Sequence, residues 1–69
     1  MTHVQFKGLK QFDELIQYTF VIEDENNNTY TYHEVIDDNG DVEEQILVDK
    51  YGHEIYDGAL VTWAEGVCK

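Results

Sequence analysis

The sequence contains no arginine, serine or proline, and it has only four lysines and one cysteine. Without arginine there is no planar group to clamp a phosphate or a carboxylate with two hydrogen bonds. Nucleic-acid backbones and anionic membranes are bound through basic side chains, so four lysines argue against both as direct partners. Cys68 is alone and can form no internal disulfide, as expected for a stray thiol in a reducing compartment.

The 69 residues predict one domain, residues 1–69, and a hydrophobic content of 42% is too high for a disordered chain. The N-terminus lacks the apolar core of a signal peptide and no stretch is long enough to span a membrane, so we expect a cytoplasmic protein. A formal charge of -11 opposes compaction through self-repulsion. Burial of aromatic residues against a second copy, giving a homodimer, is a further expectation that the same charge opposes.

The pattern of apolar residues predicts an α+β fold in which a short N-terminal helix packs on an antiparallel β-meander of four to five strands. Val4 and Phe6 indicate a first strand. The segment 9–17 has apolar residues near helical spacing among good helix formers, which favours a helix; the alternative is a strand that extends back to Leu15. The tail, 59–67, is ambiguous between helix and strand, and we favour a strand.

Alternating polar and apolar residues predict strands over 18–24, 29–37 and 42–49, with a short one after residue 53. The segment from Glu25 to Asn28 suits a turn because asparagine tolerates left-handed backbone. Asn39-Gly40 is typical of a type I′ hairpin turn.

No pattern for catalysis or metal binding is present. The three histidines and Cys68 lack metal-ligand spacing. Aligning Gly40 with the invariant glycine of a calcium loop places Val35 and Ile46 at ligand positions, which neither can fill. The carboxylates lie in turns and on half-polar strands, with no sign of an apolar pocket to tune a general acid. We therefore expect a protein that is not an enzyme and has no cofactor or metal.

The segment from Gln11 to Asp49 contains twelve Asp and Glu residues and no lysine. Three explanations compete: a solvated surface that serves solubility, a nucleic-acid mimic, and an interaction or assembly domain that docks on another basic protein. Carboxylates on adjacent strands, about 4.8 Å apart, can approach the charge density of DNA, which carries one charge per about 1.7 Å. The segregation of acids from lysines favours the mimic, since a surface made only for solubility would mix both signs.

The mimic hypothesis predicts an inhibitor that blocks the basic groove of a nucleic-acid-processing enzyme without binding nucleic acid itself. Its predicted partner-binding residues are mostly acidic: Glu23, Asp24, Glu25, Tyr30, Glu34, Asp37, Asp38, Asp41, Glu43, Glu44 and Asp49. Tyr30 is included because tyrosine is favoured at interfaces.

The stretch FVIEDENNNTYTYHE, an apolar strand followed by an acidic turn and Tyr-x-Tyr-His, resembles a hairpin of the small phage-encoded uracil-DNA glycosylase inhibitors. The resemblance covers about fifteen of the 69 residues, and the rest of the chain does not follow it. It implies a phage or mobile-element source and a DNA-repair enzyme such as a glycosylase as the target. Small acidic anti-CRISPR proteins, which evade host defence, are a second class of proteins to which this chain is analogous.

Overall fold

The computed structural model describes residues 2–69 and shows an antiparallel sheet with one helix on one of its faces. The strands are β1 (His3–Phe12), β2 (Leu15–Glu23), β3 (Thr29–Ile36), β4 (Val42–Val48) and β5 (Glu54–Ile55), and they lie in the sheet in chain order. The helix, α1, spans Gly58–Val67. Within the described residues no helix has the length and hydropathy that crossing a bilayer requires.

The predicted N-terminal helix is wrong, because residues 9–17 form a β-hairpin. Phe12 pairs with Leu15 across the two-residue loop Asp13-Glu14. The three-residue spacing of Phe12 and Leu15 is compatible with one face of a helix. The same spacing also places two residues opposite each other across a two-residue hairpin loop. Differences in helix propensity amount to only tenths of a kcal/mol per residue, and pairing along the whole of β1 outweighs them.

The predicted C-terminal strand is also wrong, since residues 58–67 form the helix. Its residues Leu60, Trp63, Ala64 and Val67 recur at helical spacing and pack on the sheet. Asp57 caps the N-terminus: its carboxylate accepts hydrogen bonds from the backbone N–H groups of Ala59 (2.9 Å) and Leu60 (3.4 Å). These bonds satisfy donors that a helix start otherwise leaves free.

The core lies between α1 and one face of the sheet, which we call the helix face. Ile22, Tyr32 and Leu47 come from three adjacent strands and are fully buried with Ala64 of the helix. Register extends this face across the sheet: Phe6, Phe20, Tyr32 and Leu47 stand side by side on β1 to β4. Beyond this row, the end of the helix face near the β1–β2 loop is not covered by α1.

Three loops of the meander share one five-residue design. They begin at Asp24, Asp37 and Asp49, and each of these carboxylates accepts hydrogen bonds from the backbone N–H groups two and four residues later. The fourth residue of each loop has positive φ: 64° at Asn27, 86° at Gly40 and 84° at Gly52.

This geometry corrects the type I′ turn predicted at Asn39-Gly40. A type I′ turn needs positive φ at both residues, and here only Gly40 has it. The hydrogen bond from the N–H of Gly40 to the carbonyl of Asp37, 3.1 Å long, closes a turn in which the glycine is the fourth residue. This is the three-residue type of hairpin loop with a left-handed bulge residue.

Candidate functional site

The carboxylates between Gln11 and Asp49 lie mainly at the two ends of the sheet. The β1–β2 and β3–β4 loops lie at one end, while the β2–β3 and β4–β5 loops lie at the other. The eight residues of β3 separate the two ends by roughly 23 Å at 3.3 Å per residue. The predicted acidic residues therefore divide into two groups.

The first group, which we call the acidic end, surrounds an open depression of about 560 Å³. Its lining combines five carboxylates with two apolar side chains: Asp13, Glu14, Asp37, Asp38, Glu43, Phe12 and Leu15. Antiparallel pairing of β2 with both β1 and β3 brings the β1–β2 loop beside the start of the β3–β4 loop. Of the other predicted residues, Asp41 lies in the β3–β4 loop and Glu44 lies near the start of β4.

No carboxylate of the acidic end forms an ion pair with a residue in the range 2–69. Lys10, on β1, lies with its Nζ 5.7 Å from the centre of the Phe12 ring instead. Asp37 is already engaged, because it accepts the backbone hydrogen bonds that hold its own loop. The free carboxylates here include the exposed Glu14, Asp38 and Glu43, which are available to a partner.

The second group contains the predicted residues Glu23, Asp24, Glu25 and Asp49, together with Lys50. Hydrogen bonds from the backbone, chiefly from Asn28, lower the pKa of Asp24, and the charge of Lys50 acts in the same direction. Backbone hydrogen bonds, that of His53 foremost, likewise lower the pKa of Asp49. Two of these four carboxylates, those of Asp24 and Asp49, are therefore engaged in holding their own loops, and Lys50 lies among the group.

Tyr30, predicted as a contact residue, is half-buried against the helix. Its ring meets that of Trp63 edge to face, with the ring centres 5.8 Å apart. Asp24, Glu25 and Trp63 line a depression beside it of about 320 Å³. Tyr30 therefore contributes to packing as well as to this part of the surface.

Glu34, also predicted as a partner-binding residue, is buried on the helix face. It accepts a hydrogen bond from the hydroxyl of Tyr32 (3.1 Å) and lies 3.4 Å from the Nζ of Lys69. Gln45 donates to the same hydroxyl at 3.0 Å, and burial raises the pKa of Tyr32. A partner could not reach Glu34 without displacing Lys69.

The histidine and cysteine side chains that were considered for metal binding or catalysis are dispersed over the structure. Burial raises the pKa of the half-buried Cys68 to about 11, so it is a protonated thiol at neutral pH. His33 lies on the face opposite the helix, with Nδ1 2.9 Å from the hydroxyl of Thr19. No cluster of three or more His, Cys, Asp or Glu side chains arranged to hold a metal occurs among residues 2–69.

Sequence reasoning missed the contribution of the β1–β2 loop to the acidic end. The predicted helix over 9–17 includes Asp13 and Glu14, so it does not predict their approach to the β3–β4 loop. The sequence does contain a signal for this hairpin. In Phe-Asp-Glu-Leu, two apolar residues flank a polar pair, as is typical of a two-residue hairpin loop.

Comparison with known proteins does not assign the chain to a group: no family model matches it, and neither a curated protein nor a solved structure of significant similarity was found.

Proposed function

We propose that this protein is a non-catalytic binding domain that docks on a basic protein surface through its acidic end. The observation that carries the proposal is the convergence of five carboxylates from two loops and β4 on one depression, where no cationic side chain among residues 2–69 pairs with them. Leaving such charges together costs free energy through repulsion, which a basic partner would relieve.

The partner class that fits best is the nucleic-acid-binding surface of an enzyme. Such surfaces bind closely spaced negative charge, and carboxylates at the tips of neighbouring strands offer a similar density. Occupying this surface would exclude the nucleic acid, so the domain would act as a competitive inhibitor. Long-range attraction between the opposite charges would also speed association.

A second candidate is an assembly domain on a basic protein that does not bind nucleic acid. The exposed side chains Phe12 and Leu15 favour it, because they lie within the depression and are 47% and 36% exposed. Apolar side chains at the centre of an interface contribute much of its affinity, whereas a phosphate backbone has no equivalent of them.

Affinity capture followed by competition tests the proposal. The tagged protein is used to isolate a partner from a host lysate, and the purified partner is then tested for binding to labelled DNA and RNA. The inhibitor hypothesis predicts that the protein displaces the nucleic acid, binds none itself, and loses affinity between 0.1 M and 1 M salt, as the Debye length falls from about 10 Å to about 3 Å. A partner that binds neither DNA nor RNA would support the assembly domain instead, and one that binds nucleic acid and this protein simultaneously would contradict the inhibitor.

The solubility explanation predicts a different outcome. If the carboxylates only keep the chain soluble, neutralising the acidic end reduces solubility and leaves every partner interaction unchanged.

A further inference from the structure

A second depression lies at the other end of the sheet, between α1 and the β2–β3 loop. Its volume of about 320 Å³ falls within the range of small-molecule sites, about 300–1,000 Å³. Its lining includes two aromatic rings, one aliphatic side chain and two carboxylates: Tyr30, Trp63, Leu60, Asp24 and Glu25. We call it the aromatic depression. The binding function proposed for the acidic end makes no use of it.

The two aromatic rings form a corner of this depression. Tyr30 belongs to β3 and Trp63 to α1, and both side chains are half-buried. The planes of their rings are inclined at 76° and the ring centres are 5.8 Å apart. The faces of aromatic rings carry partial negative charge. Two rings that meet at nearly a right angle therefore offer a surface that attracts a cation rather than an anion.

The carboxylates add to this attraction for a cation. Hydrogen bonds from backbone N–H groups lower the pKa of Asp24, so it is ionised at neutral pH. Glu25 is exposed and forms no ion pair with a side chain in the range 2–69. Lys50, whose charge acts on Asp24, lines a neighbouring depression, where its Nζ lies 5.4 Å from the centre of the Tyr51 ring. The aromatic depression thus combines aromatic surface with negative charge.

The hydrogen bonds already made by Asp24 indicate which kind of cation fits. Its Oδ1 accepts the backbone N–H groups of Asn26 and Asn28, both at 2.9 Å, and its Oδ2 accepts the side-chain amide of Asn28 at 3.3 Å. A primary ammonium has three N–H groups that need acceptors, and hard metal ions need several oxygen ligands. A fully methylated ammonium needs neither, because ring faces and nearby charge bind it.

We propose that the aromatic depression binds a methylated ammonium group, with the cation in the corner between Tyr30 and Trp63 and the carboxylate of Glu25 beside it. Leu60 supplies apolar surface for the carbon atoms next to the charge. Free quaternary amines and the methylated lysine side chains of proteins share this chemistry. Because the depression is open to solvent, we expect dissociation constants in the millimolar range.

Titration with choline tests the site, because Trp63 is the single tryptophan and its fluorescence reports on the corner directly. Choline is added at constant ionic strength, and NMR chemical shifts are recorded in parallel. The matched ligand control is dimethylbutanol, its neutral isostere, which has carbon in place of the nitrogen. We expect saturable binding of choline that perturbs Trp63 and Tyr30, and at least threefold weaker binding of the isostere. Equal affinities, or no saturation with choline, would overturn the proposal.

Substitutions around the corner test the role of each group. Glu25→Gln changes an exposed side chain and should raise the dissociation constant of choline by about two- to fivefold, the range of an exposed ion pair. The control Glu23→Gln removes the same charge two residues away on the opposite face of the sheet, and it should leave the affinity unchanged. Tyr30→Leu should reduce the preference for choline over its isostere, whereas Tyr30→Phe keeps the ring and should retain it. Equal losses in the two glutamate variants would refute the assigned position of the cation.

Two peptides of the same sequence, one with trimethyl-lysine and one with lysine, distinguish the sources of the ligand. Tighter binding of the methylated peptide than of choline identifies a protein ligand, and tighter binding of choline identifies a free amine. Equal binding of the two peptides would contradict selection of a methylated group. None of these titrations involves the acidic end, so this site and the proposed binding function are tested separately.

Discussion

Replacing the helix cap, Asp57→Ala, should destabilise the protein more than its exposed position suggests. The residue precedes α1 with an extended backbone (φ -71°, ψ 111°) and accepts hydrogen bonds from the N–H groups of Ala59 and Leu60. Alanine removes the acceptor and leaves these donors to water. Because α1 is the element that covers the core, its stability and that of the fold are coupled.

The expected loss of stability follows from substitutions measured at other helix N-caps. Loss of an N-cap carboxylate costs about 0.5–2 kcal/mol. A domain of this size has a total stability of about 3–10 kcal/mol, so the change removes a noticeable fraction. One kcal/mol corresponds to a fall in Tm of about 4–8 °C for a chain of this length.

Urea unfolding followed by the fluorescence of Trp63, the single tryptophan, measures this directly. Asp57→Asn should retain most of the stability, because asparagine is an equally good cap. Glu54→Ala removes the same charge from an exposed residue outside the helix, and it serves as the control for reduced repulsion. If Asp57→Ala were as stable as Glu54→Ala, the capping argument would be refuted.

Three further perturbations test the core, the loop geometry and the charge of Asp49. Leu47→Ala creates a cavity at a fully buried site and should cost about 2–5 kcal/mol in urea unfolding; a cost below one kcal/mol would contradict the assigned core. Gly40→Ala forces a side chain into positive φ and should cost about 1–2 kcal/mol, whereas Gly66→Ala in α1 should stabilise; equal effects would contradict the loop geometry. Asp49 has a lowered pKa in the folded state, so its contribution is present above its unfolded pKa and is lost as the pH falls through the folded value. Asp49→Asn should therefore destabilise at pH 7 and have little effect near pH 2, and a pH-independent cost would contradict the role of its charge.

Much of the sheet was predictable because β2 and β3 alternate strictly between two faces, as β4 does after its irregularity at Glu43. The alternation placed Tyr18, Phe20 and Ile22 together, as the structure does. The errors lie at the two ends of the chain, where helical and strand patterns overlap. Phe12 and Leu15 fit both, and only pairing with the rest of the sheet decides between them.

The C-terminal helix had a local signal that was outweighed by β-propensity. Val61, Thr62 and Trp63 favour strands, but Asp57-Gly58 supplies a cap, and the spacing from Leu60 to Val67 lines one helix face. The repeated loops were also present in the sequence, as aspartates at 24, 37 and 49 each followed three residues later by Asn or Gly. Their side chains hold the loops, which separates structural carboxylates from those free to bind.

The candidate site was predictable only in part. The excess of carboxylates and their segregation from lysine are properties of the sequence alone. Their division between two ends, and the burial of Glu34 beneath Lys69, depend on strand register and on the position of the helix, which the sequence did not reveal.

The most direct test of the binding function compares charge neutralisation at the two ends of the sheet. The variant Glu14→Gln/Asp38→Asn/Glu43→Gln removes three exposed charges from the acidic end and spares Asp37, which holds its loop. The control Glu23→Gln/Glu25→Gln/Glu54→Gln removes three exposed charges at other sites. Exposed ion pairs contribute about 0.2–1 kcal/mol each, so the first variant should lose about 0.6–3 kcal/mol of affinity for the captured partner, measured by calorimetry. We expect the control to retain nearly all of its affinity; equal losses in both variants, or none in either, would contradict binding through the acidic end.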